Sequence, residues 1–207
     1  MKNLTLLLML LLVLGSNSAI ATTYTFNTNT LSGSDQSKIM NMADTTNVIW
    51  NLSKTINANE TITGATLSIS GLYDWQRNSK DLLYIHLLNT SSRSNIITTS
   101  ADPSDTKDFF SGQGYLLAQP NGGTYYPGSA KNLNISFDQA ELTALTSYLK
   151  DSYFGFGFDP DCHWYDKGMT FTINTTPAPP PVPEPSTFLL LAAGLLGAGF
   201  MRRRMNK

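Results

Sequence analysis

The chain has 207 residues, with 14 Lys or Arg, 15 Asp or Glu and a single cysteine. One cysteine excludes an intrachain disulfide, so a domain of this length must stand on its hydrophobic core. Between Thr22 and Thr176 there are 14 acidic residues against 9 basic ones and no Lys/Arg cluster. Such a surface repels phosphate backbones, which argues against nucleic acid as a partner.

In chain order, Met1 to Ala21 reads as a secretory signal peptide. Lys2 gives the positive start, Leu4 to Leu14 is almost unbroken apolar, and Ala19-Ile20-Ala21 supplies the small residues of a cleavage site. The body, 22–174, is dominated by a period of two. Val48, Trp50 and Leu52 alternate with polar partners, as do Ala65, Leu67 and Ile69. The stretch "DLLYIHLLN" is apolar on both faces apart from His86 and predicts a central strand. Leu133, Ile135 and Phe137 alternate next, then Phe154, Phe156 and Phe158, then Met169, Phe171 and Ile173. Each run ends in Gly, Pro, Asn or Asp, the punctuation of strands.

One helix interrupts them over about 139–150. Asp138 is placed to cap it with Glu141 three residues on, and Leu142, Leu145 and Leu149 recur at helical spacing. The fold class that follows is all-β, a two-sheet β-sandwich of jelly-roll type with one short helix.

Two irregular stretches, 99–107 and 119–131, predict exposed loops, and a third loop carries Trp75, Arg77 and Asp81. Trp75, Tyr125, Tyr126 and Trp164 are candidates for a platform on which sugar rings stack; the same rings also serve to cover the ends of a sandwich.

The densest set of ligand-type residues lies in "GFGFDPDCHWYDKGMTFTI". Asp159, Asp161 and His163 alternate, so an extended backbone aims all three to one side, and Asp166 follows. Oxygen-rich with one nitrogen, this set suits Ca²⁺ or a harder transition metal better than structural zinc. Read as a hairpin loop instead, the same aspartates bond their own backbone amides. Catalysis is poorly supported. His86 and His163 are the only histidines, and Cys162 and His163 fall on opposite faces of an extended segment. The pairs Asp159/Asp161 and Asp74/Asp81 resemble glycosidase acids only as any two of fourteen acidic residues would. The expectation is a protein that is not an enzyme and holds no obligatory cofactor.

Residues 175–182 form a proline-rich spacer of polyproline-II type. The tail, 183–207, opens on Pro183-Glu184-Pro185, continues with fourteen apolar residues from Phe188 to Met201, and ends with Arg202 to Arg204 close behind. The apolar run is shorter than the ~20 residues that cross a bilayer comfortably, and snorkelling arginines make up part of the deficit. In order and content, "VPEPSTFLLLAAGLLGAGFMRRRMNK" resembles the sorting tail of bacterial PEP-CTERM proteins. That resemblance implies a passage through the inner membrane, cleavage by an exosortase-type protease that reads Pro183, Glu184 and Pro185, and release to the cell surface or beyond. It also implies a Gram-negative source that makes exopolysaccharide and lives in biofilms or flocs. "FGFGFDPDCHWYDKGMTFTI" is similar to a closing segment of some such bodies, which implies a β-sandwich surface domain. The leading expectation is a structural or adhesive matrix protein, and the alternative is a carbohydrate-binding module with a structural Ca²⁺.

Overall fold

A period of two writes one apolar face per strand, and two such faces bury each other when sheets stack. The computed structural model describes residues 21–101 and 107–178, and it resolves the body in this way. The strands are β1 (Thr22–Asn27), β2 (Asn41–Met42), β3 (Thr46–Ser53), β4 (Glu60–Asp74), β5 (Leu83–Leu88), β6 (Ile96–Ser100), β7 (Tyr115–Ala118), β8 (Lys131–Ser136), β9 (Tyr153–Pro160), β10 (Trp164–Tyr165) and β11 (Met169–Pro177). Two helices accompany them, α1 (Gly33–Met40) and α2 (Gln139–Tyr148).

Every strand pairing is antiparallel. The first sheet runs β1-β11-β4, with β8 on the far side of β4 and β10 and β2 continuing from its end. The second runs β6-β3-β9-β5-β7. The alternating residues meet between the sheets. Phe154 and Phe156 of β9 face Phe26, Phe137 and Phe171, with ring centroids 4.8 to 6.4 Å apart. Each buried ring contributes ~1.5–3 kcal/mol from area alone, and each edge-to-face pair adds ~0.5–1.5 kcal/mol.

β5 is buried on both faces, as its unbroken apolar run predicts. Leu83, Ile85 and Leu87 join the inter-sheet core, while His86 and Leu88 lie buried on the outer face. Phe110 sits there too, its ring 5.8 Å from that of His86. The capping box at α2 also forms, with Glu141 N–H donating to Asp138 Oδ1 at 2.8 Å and Asp138 N–H to Glu141 Oε2 at 2.7 Å.

Two features depart from the sequence reading. α1 is a second helix, unforeseen because "GSDQSKIM" buries one residue, Ile39, and so carries no apolar stripe. β11 runs on to Pro177, three residues past the expected end of the body. Thr175, Thr176 and Pro177 pair with Ile62, Thr61 and Glu60 of β4, and Thr175 also pairs with Thr22. The chain divides into two compact units after Pro177. The expected signal peptide, apart from Ala21, and the sorting tail fall outside the described residues. Among the described residues no helix is long and apolar enough to cross a membrane.

Candidate functional site

The residues that carry chemistry collect where β4 ends. Asp74 pairs with Trp164 of β10. Past that point the chain stays tied down: Asp74 N–H donates to Tyr125 O at 3.1 Å, and Trp75 N–H to His163 O at 2.9 Å. The loop 119–131 therefore does not stand free, and Tyr125 is partly buried against the core.

Of the four rings expected to form a platform, Trp75 is the most exposed. It is 55 % exposed. Its indole Nε1–H donates to Cys162 Sγ at 3.1 Å, and its ring meets that of His163 edge-on at 6.3 Å. Tyr126 lies beneath the Arg77 guanidinium, 4.7 Å from the ring, and Lys131 Nζ stands 5.9 Å from the Tyr125 ring. Trp164 is a correction. It is fully buried, because β10 pairs on both sides, with β4 and β2, and its indole turns inward beside Tyr125.

The proposed ligand set Asp159, Asp161, His163 and Asp166 is not brought together. The alternation that would align it stops at Pro160, where β9 ends and residues 161 and 162 bend. Asp159 Oδ2 accepts the Phe109 N–H at 2.7 Å and fastens the covering loop to β9. Asp161 N–H donates to Leu82 O at 2.9 Å. His163 faces Asp44, with Nδ1 3.8 Å from its carboxylate. Asp166 is buried at the other end of the bend, its Oδ1 accepting the Gly168 N–H at 2.6 Å. Burial pushes the Asp166 carboxyl up to about 7.

What the fold assembles instead is Asp74, Asp81 and Cys162, whose ligand-type atoms lie within 4.8 Å of one another. Among the described residues this is the grouping of three or more such side chains that meets that limit. Burial, with the charge of Asp81 adding to it, pushes Asp74 up to about 7. Burial, with the charges of Asp74 and Asp81 adding to it, pushes the Cys162 thiol up to about 11. The sequence carried the Asp74/Asp81 pair but not Cys162, which is brought in from the β9–β10 bend by the pairing of β10 with β4. His86 lies apart, with Nε2 2.9 Å from Asp108 Oδ2 and Nδ1 3.3 Å from Gln113 O.

The body is thus an all-β sandwich with an aromatic and carboxylate-rich end. Residues 181–204 match the family model of the PEP-CTERM protein-sorting motif. The chain therefore carries that motif at the position its Pro-Glu-Pro and arginine cluster mark. The match supports an exosortase-processed protein sorted to the cell surface through a membrane-associated step. It covers the tail alone. No curated protein matches the chain.

Proposed function

We propose that the chain is an exported, non-catalytic protein of the cell surface or extracellular matrix, delivered through its sorting tail and serving there as a structural or adhesive sandwich. The observation that carries this reading is the sorting motif at 181–204. The body's chemistry supports the non-catalytic part. The Cys162 thiol keeps its proton far above neutral pH, so it is a poor nucleophile. His86 is buried with both ring nitrogens engaged. We read Asp159 and Asp166 as fasteners of backbone N–H groups rather than as ligands of Ca²⁺.

The test replaces Pro183, Glu184 and Pro185 by alanine in a host that processes such tails. Mass spectrometry of the surface fraction is expected to find wild-type protein without Arg202 to Lys207, and the variant held in the membrane fraction with its tail intact. Equal processing of both would overturn the reading.

A second reading, a carbohydrate-binding surface, is favoured by one observation: Trp75 is exposed, yet its indole is pinned by a hydrogen bond. A ring held in place loses little freedom when a sugar stacks on it. Arg77 over Tyr126 lies on the same loop system and offers donors for hydroxyl groups. A glycan array on which wild type binds and Trp75→Ala does not is the expected result. A wild-type protein that binds no glycan ends this second reading and leaves the first untouched.

A further inference from the structure

The end of the sandwich holds a second feature, which sorting does not use and sugar stacking touches only through the hydrogen bond from Trp75 to Cys162. β4 delivers Asp74, the loop after it delivers Asp81, and the bend after β9 delivers Cys162. Asp74 is fully buried, and its Oδ2 has no hydrogen-bond partner. A buried carboxylate oxygen without a partner is among the costliest groups a fold can hold. Asp81 and Cys162 are acidic groups as well, so once the three are ionised the cluster holds no counter-charge of its own. Among the described residues no Lys, Arg or His forms an ion pair with Asp74 or Asp81. Positive charge is what the arrangement lacks.

We propose that Asp74, Asp81 and Cys162 bind a divalent cation of the zinc type, with a fourth position open on the partly exposed Asp81 side. Two carboxylates and one thiol, which releases its proton to solvent when a metal binds the sulfur, form a mixed hard and soft set. The sulfur selects against Ca²⁺ and Mg²⁺, and three protein ligands leave one place for water in tetrahedral geometry. The surroundings already orient the ligands as outer-shell partners do. Asn78 Nδ2 donates to Asp81 Oδ1 at 2.6 Å, and Gln76 Nε2 to Asp81 Oδ2 at 3.0 Å. Gln76 N–H reaches Asp74 Oδ1 at 3.3 Å, and Trp75 Nε1–H reaches the sulfur. Gly122 closes the cradle. A Cβ there would stand 2.0 Å from Asp74 Oδ2, so only bare backbone fits over the carboxylate.

The site shares the Trp75–Cys162 hydrogen bond with the sugar-binding reading but needs no sugar, and its test is spectroscopic. The full chain, purified in a mild non-ionic detergent, reduced and stripped with EDTA, is titrated with Co²⁺ as a stand-in for zinc. A thiolate-to-cobalt charge-transfer band in the near ultraviolet is expected to saturate at one equivalent and to vanish on adding Zn²⁺. Cys162 is the only cysteine, so the band reports that sulfur alone. Cys162→Ser should abolish it. Asp81→Asn, at a partly exposed loop position and with an oxygen kept as acceptor for Asn78, should weaken binding about tenfold or more while circular dichroism confirms its strands. No band from a wild-type protein whose circular dichroism shows its strands intact would overturn the proposal. So would a band whose midpoint is unchanged in Asp81→Asn.

Discussion

Asp166 shows how far a single residue's environment can depart from what its neighbours in sequence suggest. The spacing marks it as a ligand; the fold buries it at the β10–β11 bend, beneath the Met40 carbonyl that accepts its own N–H at 3.2 Å. That burial depends on the pairing of β10 with β2, which no local pattern announces. The consequence is a pH dependence of stability. Below about pH 4 the carboxyl is protonated in both folded and unfolded chains. From there to about 7 the unfolded chain releases the proton while the folded one keeps it, so stability falls as pH rises. Above about 7 both are ionised and the loss is complete. At ~1.4 kcal/mol per pH unit the span corresponds to at most ~4 kcal/mol. Asp74 titrates in the same window and steepens the fall. Asp166→Asn keeps the Oδ1 acceptor for Gly168 and removes the ionisation. It is expected to be near neutral at pH 4 and to stabilise by ~2–4 kcal/mol at pH 8 in urea denaturation. A variant whose stability runs parallel to wild type from pH 4 to 8 would show that Asp166 ionises normally.

At the scale of the element, β9 was legible and α1 was not. Phe154, Phe156 and Phe158 announce a strand because each is large and alternate residues are small. What the alternation did not say is why the alternate residues are glycine. A Cβ at Gly157 would stand 2.8 Å from Leu88 Cδ1 and 2.9 Å from Phe110 Cε2, so the Phe110 ring rests directly on the strand backbone. This second, outer packing layer is built by a loop some 45 residues upstream and is invisible to a window of ten. Gly157→Ala is therefore expected to destabilise by ~1–3 kcal/mol through overpacking. In a Phe110→Leu background the same change should cost less, with a coupling of ~0.5–3 kcal/mol in a double-mutant cycle. Additive effects would show that the ring does not bear on that backbone. α1 lacks any comparable signature. Ser32 makes no side-chain cap, and its i,i+3 pair of Asp35 and Lys38 at 3.3 Å is exposed, the kind worth little. It is held by the burial of Ile39 and the neighbouring strands, a tertiary cause that propensity does not record.

At the scale of the whole molecule, the sorting tail was legible because its signal is linear: Pro-Glu-Pro, an apolar run and arginines follow one another in the chain. The Asp74, Asp81 and Cys162 cluster was not, because its members meet only through strand pairing across the sheet. The boundary between body and tail lies between these cases. Composition places it at the prolines, after residue 174, whereas the hydrogen-bond ladder of β11 continues to Pro177. The three extra residues matter to the edge of the first sheet. Thr175 is buried, and its Oγ1 lies 3.1 Å from Thr22 O and 3.0 Å from Glu60 Oε1. Glu60 in turn accepts from Tyr24 Oη at 2.6 Å. The hydrogen bonds from Tyr24 and Thr22, with a smaller one from Thr175, hold the Glu60 carboxyl down at about 2. Because that value lies below the ordinary carboxylate range, what the network adds to stability is present at neutral pH and is lost as pH falls toward 2. Two truncations separate the boundaries. A chain ending at Pro177 keeps the whole ladder and should melt as the full body does. A chain ending at Asn174 loses the pairing of β11 with Ile62, Thr61 and Glu60 and leaves the Thr22 edge without its buried hydroxyl. It should melt lower than the chain ending at Pro177 at pH 7, and the deficit should shrink as the buffer is taken toward pH 3. Equal midpoints for the two chains at pH 7 would place the functional end of the sandwich at Asn174, where the composition alone puts it.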